Sequence, residues 1–203
     1  MLPKQNLWLG TLTLFAVVAL GFFAVSVLRQ PGGSPKPRVL DTDPFVGKSN
    51  AKIDIVVFTD FQCEFCKAEV ATLKSVLAAY QDKVRLVHKD YPLPAHQAAR
   101  RAAEIARCAQ DQQKFWQMYD VLFAHQADLG TVSYETLAKE GELDAPALAS
   151  CMERGDGRAR VDESLAEGRR LLVTEVPTTY VNDQRFVGIV TESTLRAAIQ
   201  ELL

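Results

Sequence analysis

The chain has 203 residues, 48% of them hydrophobic and 24% charged, with 23 basic and 25 acidic side chains and a formal net charge of −2. That length suits one domain of moderate size, and the composition excludes a disordered or collagen-like chain. No basic block follows residue 44, which argues against a nucleic-acid partner.

The first predicted element is apolar. Leu7–Leu28 carries neither charge nor proline, and as a helix it would span roughly 33 Å, enough for a bilayer core. Residues 1–28 therefore read as a membrane anchor or a signal peptide. The apolar run is longer than a signal h-region and favours an uncleaved transmembrane helix, whereas Ala24-Val25-Ser26 fits a cleavage site. Lys4 on one side and Arg29, Lys36 and Arg38 on the other leave the orientation unmarked by basic residues. Gln30-Pro31-Gly32-Gly33-Ser34-Pro35-Lys36-Pro37 is too polar and too broken to pack, so residues 29–44 read as a flexible tether.

Residues 45–203 form the expected domain. Ile53–Phe58 is a β-branched run of strand length that ends near Thr59. Val70, Leu73, Val76, Leu77 and Tyr80 then recur at helical spacing, in a helix that begins at Cys63. Val84–His88 reads as a second strand and completes a βαβ unit. From Ala95 to about Leu172 the pattern is helical, broken near Leu129-Gly130, Glu140-Gly141 and Gly155-Asp156-Gly157. This predicts about four helices: an inserted subdomain over about 95–157, with the last helix leading back to the sheet. Thr178–Val181 and Arg185–Val187 flank Asn182-Asp183-Gln184 as a hairpin, and Ser193–Leu203 closes the chain as a helix. The class is α/β, in the order βαβ, helices, ββα.

Cys63-Glu64-Phe65-Cys66 falls at the first strand-to-helix junction, where two thiols can open and close a disulfide. The first-turn N–H groups and the helix dipole favour an anion there, which lowers the pKa of Cys63 and makes it the attacking sulfur. Cys66, almost one turn further on and more buried, would resolve the mixed disulfide. The alternative is half of a tetrahedral zinc site. No second CxxC or HxxxH follows, and Cys108 and Cys151 are single and far apart, so no metal or other cofactor is expected.

A redox pair behind a secretion-type segment fits a compartment where disulfides persist, outside the cytoplasmic membrane. There the even cysteine count favours a structural Cys108–Cys151 disulfide over two buried free thiols. His88, His96 and His125 lack metal spacing and read as structural or solvated. The stripe Phe115, Trp116, Tyr119, Leu122, Phe123 reads as core. Pro177 stands at the start of the hairpin strand. It is either a trans proline opening an edge strand or a cis proline turning the chain toward the cysteines, and the CxxC context favours cis.

Four ordered motifs resemble the DsbA-type thioredoxin-fold proteins: Thr59–Lys67, Asp90–His96, Lys114–Phe123 and Val176–Asn182. The resemblance covers roughly Phe45 to the C-terminus. It implies a thioredoxin fold with a helical insertion, a redox disulfide at Cys63 and Cys66, and a cis Pro177 lying against it. It also implies that the backbone of Val176 pairs with an extended substrate, while Glu64 and Phe65 modulate the site. Many relatives carry a buried acid six positions before the first cysteine; here that position is Val57, and proton handling would fall to water or another group such as Asp60. Glu64 suits the helix dipole but repels a Cys63 thiolate, which predicts a less oxidising couple than a dipeptide with His.

The expected function is a membrane-tethered, extracytoplasmic thiol–disulfide oxidoreductase that donates the Cys63–Cys66 disulfide to reduced substrate proteins and is reoxidised by a quinone-linked membrane partner. The alternatives are a reductase or isomerase of the same fold, or a non-enzymatic membrane-anchored protein that uses the CxxC for metal.

Overall fold

The computed structural model describes residues 35–203; the apolar segment 1–28 and the start of the tether lie outside the described residues. No helix among the described residues is long and apolar enough to cross a membrane. The domain runs β1 (Phe45–Gly47), β2 (Ile53–Thr59), α1 (Glu64–Tyr80), β3 (Val84–Asp90), α2 (Ala99–Asp111), α3 (Phe115–Ala124), α4 (Tyr134–Glu140), α5 (Ala145–Arg154), α6 (Asp156–Arg170), β4 (Thr178–Val181), β5 (Gln184–Val187) and α7 (Glu192–Gln200).

The five strands form one sheet in the order β1-β3-β2-β4-β5. β2 and β3 pair in parallel, Ile53 opposite Val84 through Thr59 opposite Asp90, and the other three pairings are antiparallel. A parallel pair needs a crossover, and α1 supplies it. β2 is central and buried along all seven residues, which is why it reads as a continuous apolar run. Its side chains alternate between two cores. Ile53, Ile55 and Val57 pack with Leu73 and Val76 of α1 and Leu195 and Ile199 of α7. Val56 and Phe58 face the insertion, whose α3 contributes Phe115, Met118, Tyr119, Leu122 and Phe123. The aromatic stripe is thus core, with Trp116 only partly covered.

Three features differ from the sequence expectation. The helical region holds five helices rather than about four, because a break at Gln112–Lys114 separates α2 from α3. Gln113 takes φ 60° there, and the break carries no glycine or proline to announce it. β1 was also unforeseen: three residues are too few for a periodicity to register.

The second half of the expected tether packs rather than swinging free. Arg38 donates from its backbone N–H (2.6 Å) and its Nε (3.0 Å) to Glu167. The carbonyl of Lys36 accepts from Arg170 and that of Thr42 from Arg107. Asp43 is 4% exposed and its carboxylate pairs with the buried Lys89. The same buried cluster contains Asp90, which bonds His88 at 2.8 Å and Arg107 through Nε, and Ser164, which accepts from Arg107. Burial pushes the Asp90 carboxyl up, but Arg107 and His88 outweigh it and leave the pKa about 2. Burial pushes His88 down.

α2 and α6 pack closely. A Cβ on Gly157 would stand 2.5 Å from the Glu104 carbonyl oxygen and 3.0 Å from Cys108 Sγ, so only glycine fits that crossing. Cys108 of α2 and Cys151 of α5 are joined in a disulfide with a Cα–Cα distance of 5.8 Å.

Candidate active site

β2 delivers the chain to one end of the sheet, and residues 60–63 turn it into α1. Cys63 is the N-cap of α1, extended at φ −78° and ψ 118°, and it carries no capping side-chain bond. Its sulfur therefore stands where the first-turn N–H groups are unpaired. Cys63 and Cys66 are both free thiols, 6% and 2% exposed. The Cys66 thiol donates toward the Cys63 sulfur, and the backbone N–H groups of Cys66 and Phe65 add to it. Together they hold the Cys63 pKa at about 6 against burial and the Asp60 carboxylate. Cys66 is pushed the other way, foremost by burial and then by its bond to Cys63, with the Thr59 hydroxyl opposing. One sulfur is thus prepared as a thiolate and its neighbour as a thiol.

The carboxylate that bears on the Cys63 thiolate is Asp60, which is 1% exposed. Glu64, which the sequence singled out for that part, points into solvent. The Val176–Pro177 peptide bond is cis, and the Val176 carbonyl accepts from Cys63 Sγ at 3.5 Å. Cys63, Phe65, Leu93, His96, Glu175 and Val176 line a cleft of about 450 Å³. Phe65 is 55% exposed at its rim. The structure thus brings Cys63, Cys66, Glu64, Phe65, Val176 and Pro177 to one end of the sheet. Cys108 and Cys151 lie within the helical insertion.

The sequence reading offered Asp60 as a proton-handling group, but its partners and several other contributors to this site escaped it. Asp60 accepts from Gln62 N at 2.7 Å, Leu93 N at 2.7 Å and His96 Nδ1 at 2.8 Å, so one buried carboxylate ties the CxxC approach to the loop after β3. Both residues fall inside recognisable motifs, but 36 positions separate them and no local pattern joins them. Gln126, in the loop after α3, donates to the carbonyls of Phe61 (2.8 Å) and Cys63 (3.0 Å), and nothing in its neighbourhood signals that contact.

Glu69 did leave a signal. It stands in the buried stripe Cys66, Glu69, Leu73, Val76 of α1 at helical spacing. It is 1% exposed and accepts from Thr179 Oγ1 and Val190 N, each at 3.3 Å. Burial lifts its carboxyl to about 7, although both partners pull it down. Thr179 is the cross-strand neighbour of Val57, so Glu69 supplies a carboxyl beside the strand position that Val57 leaves without one. Among the described residues, the potential metal-ligand atoms that come within 4.8 Å of one another in a group are those of Asp111, Cys151 and Asp156, and Cys151 is held in its disulfide.

A free CxxC pair at a helix start, faced by a cis-proline loop at the end of a five-stranded sheet with helices inserted after β3, defines a thioredoxin-fold dithiol protein. The thioredoxin family model matches residues 40–201. The fold is similar to that of oxidised BdbD from Bacillus subtilis, with TM-score 0.73 and 19% identity over 85% of this chain and 98% of that one. It is similar to Pseudomonas aeruginosa DsbA2 (TM-score 0.67, 25% identity, 82% and 97% covered). A thioredoxin-like oxidoreductase from Silicibacter pomeroyi DSS-3 also matches (TM-score 0.69, 24% identity, 80% and 93% covered). The chain belongs to the thioredoxin family, and its fold is like that of these DsbA-type proteins. Among curated proteins it is 30% identical over 160 residues to Na(+)/H(+) antiporter NhaA 3 of Salinispora tropica. The match covers 78% of this chain but 24% of that protein, so the chain spans about a quarter of the length of the curated relatives it matches.

Proposed function

We propose that the protein is an extracytoplasmic thiol–disulfide oxidoreductase that donates the Cys63–Cys66 disulfide to reduced substrate proteins. The observation that carries this reading is the opposed preparation of the two sulfurs: Cys63 held at about 6 at a helix N-terminus, and Cys66 buried and pushed up. A substrate thiolate attacks Cys63 Sγ, the Sγ–Sγ bond breaks, and Cys66 Sγ takes the electron pair. A second substrate thiol then attacks the substrate sulfur of the mixed disulfide and releases Cys63 as thiolate. A stabilised leaving thiolate favours the reduced enzyme, and that makes the disulfide an oxidant.

The Val176 backbone, whose carbonyl lies 3.5 Å from Cys63 Sγ, is the natural docking point for an extended substrate strand. The apolar run Leu7–Leu28 and the disulfide in the insertion support an anchored domain on the oxidising side of a membrane. Reoxidation then falls to a membrane partner, quinone-linked by resemblance. Equilibrating the protein with glutathione redox buffers tests the direction. A potential well above that of thioredoxin, about −270 mV, supports the donor reading, and one at or below it reverses the electron flow to a reductase.

A further inference from the structure

We propose that His96, oriented by Asp60, is a general base for the incoming substrate thiol, an inference that rests on the oxidoreductase reading above. Asp60 is buried and its two oxygens accept three bonds, from Gln62 N, Leu93 N and His96 Nδ1. A carboxylate accepts, so Nδ1 carries the hydrogen, and the tautomer this selects has its lone pair on Nε2. Among the described residues nothing bonds Nε2. The ring is 30% exposed and shares the wall of the 450 Å³ cleft with Cys63. The other charged groups of that wall, Glu64 and Glu175, are exposed carboxylates, neither of them bonded to the ring and both open to solvent screening. A substrate sulfur approaching Cys63 Sγ must occupy this cleft, beside the imidazole.

The arrangement is that of an acceptor fixed by a third group in the wall of the cleft that an incoming nucleophile must enter. Protein thiols are mostly protonated at neutral pH, so attack on the enzyme disulfide requires a proton acceptor. His96 Nε2 takes the proton of the substrate S–H, and the freed sulfur pair forms the bond to Cys63 Sγ. The Cys63–Cys66 bond breaks, and its electron pair goes to Cys66 Sγ. The substrate sulfur is oxidised, the enzyme pair is reduced, and the imidazolium balances the new thiolate charge until the proton passes on.

Two thiols separate this role from a structural one. The oxidised enzyme is reduced at neutral pH by 2-mercaptoethanol, which is protonated there, or by thiophenol, which is largely ionised, and the rates are read by acid quench and alkylation. His96→Gln is expected to slow the first reaction by about tenfold or more and to leave the second within about twofold. Asp60→Asn, where it folds, gives the same selectivity at smaller size. Equal slowing of both thiols, or no slowing of either, overturns the inference while the redox function stands. A wild-type protein inert toward both overturns the oxidoreductase reading and this inference with it.

Discussion

The two cysteine pairs of this chain are built in opposite ways. Cys108 and Cys151 come from the last turns of two helices, 43 residues apart, and close on each other inside the insertion. Cys63 and Cys66 lie in one turn, unbonded, where a helix begins and where titratable groups collect: Asp60, Glu69 and His96. A disulfide becomes structural when its surroundings leave the sulfurs no other partner. It becomes exchangeable when donors stabilise one sulfur as an anion and a cleft admits a third.

The sharpest way to break this contrast is to exchange the consequences of removing each pair. Cys63→Ser is expected to abolish disulfide transfer to a peptide dithiol while leaving the urea midpoint nearly unchanged. Cys66→Ser should instead trap a mixed disulfide when given glutathione disulfide: the Cys63 thiolate attacks one sulfur, a glutathione thiolate leaves, and with no Cys66 to resolve the product it accumulates, visible as a mass increase of one glutathionyl group. Cys108→Ala/Cys151→Ala should do the reverse. Transfer by the folded protein persists, and stability falls by about 4 kcal/mol for a loop of this length in the chain-entropy account, read as a lower urea midpoint. Loss of transfer from the folded double variant would show that the insertion disulfide holds the active site and would erase the distinction.

Much of this was legible because local chemistry wrote it. β2 announces itself by a β-branched run, the hairpin by Asn182-Asp183, and the CxxC by spacing alone. The unread parts are joined across the chain. Asp60 and His96 become partners only when the loop after β3 returns to the end of β2, and Gln126 reaches the active-site loop only because α3 packs against Phe61. A side chain's distant partners are set by packing, and no periodicity records them.

Glu69 provides a second, smaller test, because it puts a buried acid with no cationic partner among the described residues on the same stripe of α1 as Cys66, whereas Glu104, four residues before Cys108, is paired with Arg100 and Arg158. Its folded pKa, about 7, lies above the ordinary glutamate value of about 4.3. The folded state therefore holds this proton more tightly than the unfolded one. The associated stability is fully present below about pH 4.3 and is lost as pH rises through about 7. Glu69→Gln should match the wild type at pH 4 and exceed it at pH 8, by on the order of 3 kcal/mol from a shift of this size. Urea denaturation of both proteins across that range checks the sign. A variant less stable than wild type at pH 8 would mean that the ionised carboxylate's bonds to Thr179 and Val190 outweigh its burial.

The smallest effect belongs to Glu64, where two carboxylates near one thiolate differ in solvent exposure. Asp60 is buried and acts on Cys63 through protein, whereas Glu64 acts largely through water and salt. Thiolate absorbance should titrate Cys63 at about 6. Glu64→Gln should lower that midpoint by a fraction of a unit at low ionic strength, and about 1 M salt should shrink the difference, since the Debye length there is about 3 Å. The lower midpoint raises the reduction potential in step, because the leaving thiolate is better stabilised. An unchanged midpoint at low salt would remove Glu64 from the tuning of this couple and leave Asp60 as the carboxylate that sets it.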